Sequence, residues 1–317
     1  MNGEQSILNP GGPAAARLVE LWWVLFWPGL AVFGVVTVLL LVGLYRRHRR
    51  PMDASHEARA GTWIGIGGIA VPALVLFVVL AYTVRVMAQH AASAREAEER
   101  GLSIRVVGYQ WWWDVRYEDT LPARRARTAN EIHIPVGRPV RLLLESGDVN
   151  HSFWVPRLQG KLDLIPGQTN TLWLQANEPG VYRGQCAEYC GEQHAHMGLL
   201  VVAQPAEEFE RWYQGQLAAA AEPADSLSRR GAEVFRSSGC ALCHAVRGTG
   251  AMAAVAPDLT HLASRQTLGA GMVPNTRGYL GGWIVNPQAI KPGNRMPAMP
   301  LDGPELQALL GYLESLR

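Results

Sequence analysis

The chemistry-bearing residues of this chain cluster in two places. The stretch Cys186-Ala-Glu188-Tyr-Cys190-Gly-Glu-Gln-His194-Ala-His196-Met197 holds two thiols, imidazole and a thioether within twelve residues. Thiolate, imidazole and thioether are soft or borderline ligands, a set suited to copper. Zinc would accept the cysteines and a histidine but has little use for the methionine. A mononuclear blue-copper site needs one cysteine, so two suggest thiolates bridging two copper ions, and a second imidazole must come from elsewhere. His151, in Asp148-Val149-Asn150-His151-Ser152-Phe153, is the best candidate for it. His196 is the alternative to His194, from which it alternates in direction along an extended chain. Two metals bridged by sulfur share one unpaired electron with little change of geometry, which makes electron transfer fast. Ligand histidines must be neutral, so metal loading should weaken in acid.

The second cluster is Cys240-Ala-Leu-Cys243-His244. Four cysteines in two close pairs could form two local disulfides in an oxidising compartment, and Cys-x-x-Cys also serves redox and zinc sites. The histidine that follows makes this the arrangement that attaches c-type haem: two thioethers to the vinyl groups and an imidazole to iron. A methionine thioether is the expected sixth ligand and raises the potential of haem iron. Met296 is preferred over Met299 in Gly293-Asn294-Arg295-Met296-Pro297-Ala298-Met299-Pro300, the other methionine packing the loop. The Pro257 carbonyl could fix the tautomer of His244 through its other ring nitrogen. His48, His56, His90, His133 and His261 are expected to be surface or packing residues.

These clusters need scaffolds. No charged residue occurs from Leu21 to Tyr45 or from Gly61 to Val84, and about 20 apolar residues cross a bilayer as helix. Two spans, about 21–45 and 61–86, are predicted, with Trp22, Trp23 and Tyr45 at the water interfaces. The basic loop Arg46-Arg47-His48-Arg49-Arg50-Pro51 places the hairpin turn inside and both termini outside. No basic stretch, short apolar run and small-residue cleavage site open the chain in the manner of a secretory leader. Residues 1–100 thus form an N-terminal segment and hairpin that ends in a charged juxtamembrane stretch, Glu96 to Arg100. Ile104, Val106, Ile132, Ile134, Val136, Val140, Leu142 and Leu144 recur at even spacing between turn signals, which predicts an antiparallel β-sandwich or barrel over 101–205. Pro205 could open a helix with Phe209, Trp212 and Tyr213 on its apolar side, and Leu217 to Asp225 is expected to be linker, giving a helix-and-linker region over 206–226. Helical periodicity at Ser226–Ser238 and Pro304–Leu316 predicts a small, mostly α domain over 227–317. Its core is thin unless a cofactor fills it.

Composition narrows the function. The 317 residues suggest about two globular units at roughly 150 residues each, and 48% hydrophobic content excludes a disordered chain. Lys plus Arg less Asp plus Glu is 29 − 27 = +2, with no uniform field that would argue for nucleic acid. The chain resembles cytochrome c oxidase subunit II in the form with a cytochrome c domain fused behind the dicopper (CuA) domain. The resemblance covers nearly the whole chain, carried by Asp148 to Phe153 and Cys186 to Met197 in order, by the haem motif, and by Lys291 to Pro297. It implies a multidomain membrane protein: a two-helix transmembrane hairpin, a cupredoxin-like all-β Greek-key domain and an all-α class I cytochrome c domain. It implies His151, Cys186, Cys190, His194, Met197 and the Glu188 carbonyl as copper ligands, with the Glu188 carboxylate facing a magnesium site shared with subunit I. Gly108-Tyr109-Gln110-Trp111-Trp112-Trp113 is similar to the family's aromatic segment, in which the tryptophan after glutamine, here Trp111, helps electrons enter. Trp112 and Trp113 are expected to be interface packing. Two departures stand out. The early second span, Gly61 to Pro72, lacks the glutamate the family often has near a proton route, for which Glu57 is a weak substitute. Gln168 also stands where arginine usually follows Pro166-Gly167.

The expected function is electron delivery from a c-type cytochrome or upstream reductase, through haem c and CuA, to subunit I for reduction of oxygen to water, coupled to proton translocation. Subunit III and membrane lipid are further expected partners, and the bacterial inner membrane is the expected location, with the copper and haem domains on the periplasmic side. Fusion keeps the donor domain at high effective concentration. The alternatives are the CuA subunit of a nitric oxide reductase, a membrane-tethered electron carrier and a copper-delivery protein.

Overall fold

A computed structural model describes residues 5–47, 61–98 and 102–317. It divides into a helical unit, Ala16–Glu96, and a larger unit made of Met1–Ala15 and Ala97–Arg317.

The helical unit contains α1 (Pro13–Arg47) and α2 (Val71–Glu98), the latter preceded by a π-helical stretch, Ile64–Ala70. Windows Pro13–Arg46 and Gly61–Ala88 are long and apolar enough to cross a membrane. At 1.5 Å per residue α1 is roughly 50 Å long, beyond a hydrocarbon core of about 30 Å. This is why its ends overrun the predicted span. Phe33 and Phe77 are 68% and 69% exposed, as expected of helices whose solvent is lipid or a partner's helices. Of the basic loop, Arg46 and Arg47 end α1. His48, Arg49, Arg50 and Pro51 lie outside the described residues, as do His56, Glu57 and the His90 side chain.

In the larger unit, two five-stranded sheets pack face to face. The first, in the order β3-β2-β1-β5-β8, comprises β1 (Ser103–Tyr109), β2 (Trp112–Glu118), β3 (Arg127–Ala129), β5 (Val140–Ser146) and β8 (Asn170–Leu174). The second, in the order β4-β10-β9-β6-β7, comprises β4 (Glu131–Pro135), β6 (His151–Trp154), β7 (Leu162–Leu164), β9 (Gly180–Cys186) and β10 (Gly198–Gln204). Ile104, Val106, Ile132, Ile134, Val140, Leu142 and Leu144 all turn inward and are fully buried, because side chains on a strand point to alternate faces. The expected antiparallel pairing holds only in part: β1 pairs β5, and β10 pairs β4, in parallel. Alternation sets which face is buried but not strand direction.

α3 (Ala206–Leu217) lays Phe209, Trp212 and Tyr213 on this sandwich, Trp212 stacking on His133 with ring centroids 3.9 Å apart. Residues 218–225 follow without regular structure, strapped to the last domain by Ala220 N–H on the Arg247 carbonyl at 2.8 Å. That domain is built from α4 (Ser226–Ser237), the short strands β11 (Thr267–Leu268) and β12 (Val273–Pro274), α5 (Arg277–Val285), α6 (Pro287–Ile290) and α7 (Gly303–Ser315). Asp225 accepts from the Ser228 amide to start α4, and Asp302 with Glu305 forms a capping box at α7, satisfying amides that have no intrahelical partner. α4 and α7 cross at Gly231, where a Cβ would lie 2.0 Å from the Ala308 carbonyl oxygen; only glycine permits that approach.

Candidate metal centre and adjoining haem cavity

His151 opens β6 and Cys186 ends β9, and these strands pair with Phe153 opposite Cys186. The β9–β10 loop carries Cys190, a 3₁₀ turn His194–His196, and Met197 just before β10. The Cys186 amide on the Met197 carbonyl, 2.9 Å, ties the loop's ends together. All the expected residues converge. Cys186 Sγ lies 3.8 Å from Cys190 Sγ, 3.8 Å from His151 Nδ1 and 3.2 Å from the Glu188 carbonyl oxygen. Cys190 Sγ lies 3.7 Å from His194 Nδ1 and 3.9 Å from Met197 Sδ. His151, Cys186, Cys190 and Met197 are buried. His194 turns to the sulfurs, whereas His196 engages the Gln193 side chain through Nδ1 at 2.8 Å.

Hydrogen bonds prepare the ligand atoms. His151 Nε2–H donates to Asp148 Oδ1 at 2.9 Å, leaving Nδ1 free toward sulfur. Burial opposes charging of His151, but Asp148 and Cys186 outweigh it and raise its pKa. Burial likewise opposes ionisation of Asp148, and bonds from His151 and the Gln110 and Val149 amides overcome it and lower its pKa. The two free thiols share a hydrogen bond that pulls one well below the ordinary thiol range and pushes the other well above it. Two adjacent thiolates repel, so full ionisation calls for a bound cation. Metal of cysteine-binding type fits this donor set. The Glu188 carboxylate is 44% exposed and already lies 3.9 Å from a surface cation, Lys161 Nζ.

Beside this cluster lies a cavity of about 270 Å³ lined by Cys240, Cys243, His244, Met296 and Met299 from the last domain and by Trp111 and Trp112 from the β-domain. The Cys-x-x-Cys pair is free. His244 Nδ1–H donates to the Pro257 carbonyl at 2.7 Å, leaving Nε2 for a ligand. Arg265 also lines the cavity, and its buried Nε has no partner among the described residues. An orphaned guanidinium donor is costly and suits a haem propionate, so the cavity's lining fits haem in attachment and charge.

Trp111 joins the two places. Its indole N–H donates to the Cys190 carbonyl at 3.0 Å, as does Gln110 Nε2 at 2.8 Å. The interface-packing expectation is corrected for Trp113, which is fully buried in the sandwich, edge-on to Phe153, whereas Trp112 stacks on Tyr109 at the cavity where the two domains meet. Sequence reasoning missed Arg265, Glu131 and the role of Lys291; an arginine or lysine in a glycine- and proline-rich loop gives no sign of its burial.

Two helices long and apolar enough to cross a membrane, a cupredoxin-like β-domain with a two-cysteine site and a domain with a Cys-x-x-Cys-His cavity define a class of proteins that join a copper-type domain to a cytochrome c-type domain. Comparison with known proteins agrees. The family described as cytochrome c oxidase subunit II, periplasmic domain, matches residues 102–204, and the cytochrome c family matches residues 228–317. Cytochrome c oxidase subunit 2 of Alkalihalophilus pseudofirmus is 34% identical, covering 99% of this chain and 92% of the relative, and that of Bacillus subtilis is 31% identical over 81% and 74%. The solved periplasmic domain of subunit II of the Bradyrhizobium japonicum cytochrome oxidase is 30% identical over 36% of this chain and 92% of that one, with a TM-score of 0.34. The chain belongs to the cytochrome c oxidase subunit 2 family.

Proposed function

We propose that this chain is the electron-accepting subunit of a haem-copper cytochrome c oxidase, with His151, Cys186, Cys190, His194, Met197 and the Glu188 carbonyl holding a dinuclear copper centre. Cys240 and Cys243 hold haem c, with His244 and Met296 as its axial ligands and Arg265 on a propionate. Bound there, the two groups supply one-electron exchange between a c-type donor and subunit I, where oxygen is reduced to water with proton translocation. The observation that carries this reading is Trp111, which lines the haem cavity while hydrogen bonding to the Cys190 carbonyl. The chain's own residues do the positioning. Asp148 holds the His151 tautomer, Pro257 holds that of His244, and Gln110 and Trp111 fix the Cys190 backbone. The β-core keeps the sulfurs from water.

In this reading the two apolar helices anchor the chain in the bacterial inner membrane, with subunits I and III and lipid around them, both termini and both cofactor domains outside, and Glu188 facing magnesium at the subunit I boundary. In the intact complex, Cys186→Ser or Cys190→Ser should abolish a mixed-valence two-copper resonance while haem stays attached. Retention of that resonance would exclude the bridging role. Preference for nitric oxide over oxygen by the complex would favour a reductase instead. Purification without a haem-copper subunit would favour a free-standing carrier, and exchangeable copper without haem a delivery protein.

A further inference from the structure

The boundary between the β-domain and the haem domain buries a lysine and a glutamate, each hydrogen bonded to backbone of the other side. Lys291, 2% exposed, donates all three of its ammonium hydrogens: to the carbonyls of Trp111 at 2.7 Å and His196 at 2.9 Å in the β-domain, and to Gly269 at 2.9 Å in its own. Glu131, also 2% exposed, opens β4 and accepts with one oxygen from the haem-domain amides of Gln266 at 2.7 Å and Thr267 at 3.0 Å. Between them the Gly198 amide donates to the Ala270 carbonyl at 2.9 Å. Gly293, at φ +77°, comes so near the copper loop that a Cβ would lie 2.5 Å from Glu192 Oε2.

We infer that Lys291 and Glu131 form a reciprocal latch that seats the haem domain in one position on the β-domain, with the haem cavity against Trp111. The energetics are those of mutual satisfaction. Undocked, the ammonium, the carboxylate, the carbonyls and the amides all meet water. Docked, their hydrogen bonds are to one another, with the Arg265 cation also acting on Glu131, so the contact tolerates one register, and any slip buries polar groups without hydrogen-bond partners. Burial lowers the Lys291 pKa to about 7, against the pull of Cys190. Removing either member strands carbonyls or amides only in the docked state, which shifts the equilibrium toward undocking. Lys291 and Glu131 are thus positioning residues for transfer between the two centres, and the haem domain is seated rather than loosely tethered.

The latch rests on the proposed electron route only for its purpose, and the test separates the two. In the intact complex, spin labels at exposed sites on the two domains report the interdomain distance distribution, and photoinduced reduction of haem reports transfer to copper. Lys291→Met and Glu131→Leu, acting from opposite sides, should each broaden a narrow distance distribution. Transfer should become at least tenfold slower and viscosity-dependent, with haem and copper spectra kept. Glu131→Gln, whose amide oxygen can still accept both bonds, should behave as the parent does. A narrow, unchanged distribution in both disruptive variants would overturn the latch, as would a Glu131→Gln variant as mobile as Glu131→Leu. If the parent is narrow but passes no electrons from haem to copper, the electron route fails and the latch stands.

Discussion

The copper-type site and the haem site of this chain are built on opposite plans. In the β-domain the ligand atoms are already in contact with one another, held at strand ends above a core that needs nothing from the metal: Ile104, Trp113, Leu142 and Phe153 are fully buried among protein atoms. In the haem domain the core residues Phe235, Leu280, Ile284, Leu309 and Leu313 themselves line the cavity. An ion is small enough for a rigid scaffold to enclose it at the scaffold's edge. A prosthetic group of haem size replaces the middle of a domain of about ninety residues, too small to build a full core without it. Losing a ligand should therefore have local consequences in one region and global ones in the other.

The largest expected effect tests that contrast directly. Cys240→Ala with Cys243→Ala should prevent haem attachment and abolish the cooperative fold of the last domain, taking amide protection in α4 and α7 to unfolded levels while β1 and β5 keep theirs. Hydrogen exchange on the full chain reads both domains at once. Full protection of α4 and α7 without haem would show that the domain's core suffices by itself.

The β-domain's self-sufficiency should fail in acid at a group of its own. His133 is buried against Trp212, with Nδ1 on Gln204 Oε1 at 2.8 Å. Burial, only partly offset by Gln204, lowers its pKa from 6.5 to about 4. The unfolded chain takes up the proton first. Stability from this group is therefore complete above about pH 6.5, falls as pH drops toward 4, and is lower by about 3 kcal/mol there. His133→Phe, which keeps the stack, should flatten this part of the slope between pH 6.5 and 4 in denaturant midpoints followed by tryptophan fluorescence. An unchanged slope would assign the acid sensitivity elsewhere.

Smaller still is the effect of the hydrogen bond that orients His151. Asp148→Asn should leave the fold intact and weaken copper binding by roughly 10- to 100-fold, as loss of a ligand's outer partner commonly does. Competition with a chelator of known affinity measures it. Unaltered affinity would mean that strand pairing at β6 alone fixes the imidazole.

What could be foreseen from sequence follows the same division. Cys186 to Met197 and Cys240 to His244 were legible because their chemistry demands particular side chains at short spacing, and the sandwich core was legible because burial alternates along strands. His151 needed one further inference, that a second imidazole must exist. The parallel pairing of β1 with β5 left no trace, since both directions bury the same residues. Lys291 stayed hidden for a different reason: its partners are backbone oxygens, one of them 180 residues away at Trp111, and a carbonyl has no letter in the sequence. Trp113 departs from the interface packing that three adjacent tryptophans suggest, because its place on β2 turns it into the sandwich core.

The smallest expected effect lies where the two plans meet. Arg295, beside Met296, places its guanidinium 3.8 Å from Asp148 Oδ2, so a haem-domain cation faces the carboxylate that holds His151. The arginine is 71% exposed, and an exposed pair at this distance contributes roughly 0–1 kcal/mol and is screened by salt. Arg295→Ala should accordingly change interdomain stability by less than about 1 kcal/mol at low ionic strength and by nothing measurable at high salt. A redox titration followed by copper resonance should find the copper potential slightly lowered at low salt, because a nearby cation favours the reduced centre, with the difference vanishing as salt is added. A large, salt-independent shift would mean that Arg295 acts through packing against the Met296 loop rather than through its charge, and would move it from the surface of the contact to its structural core.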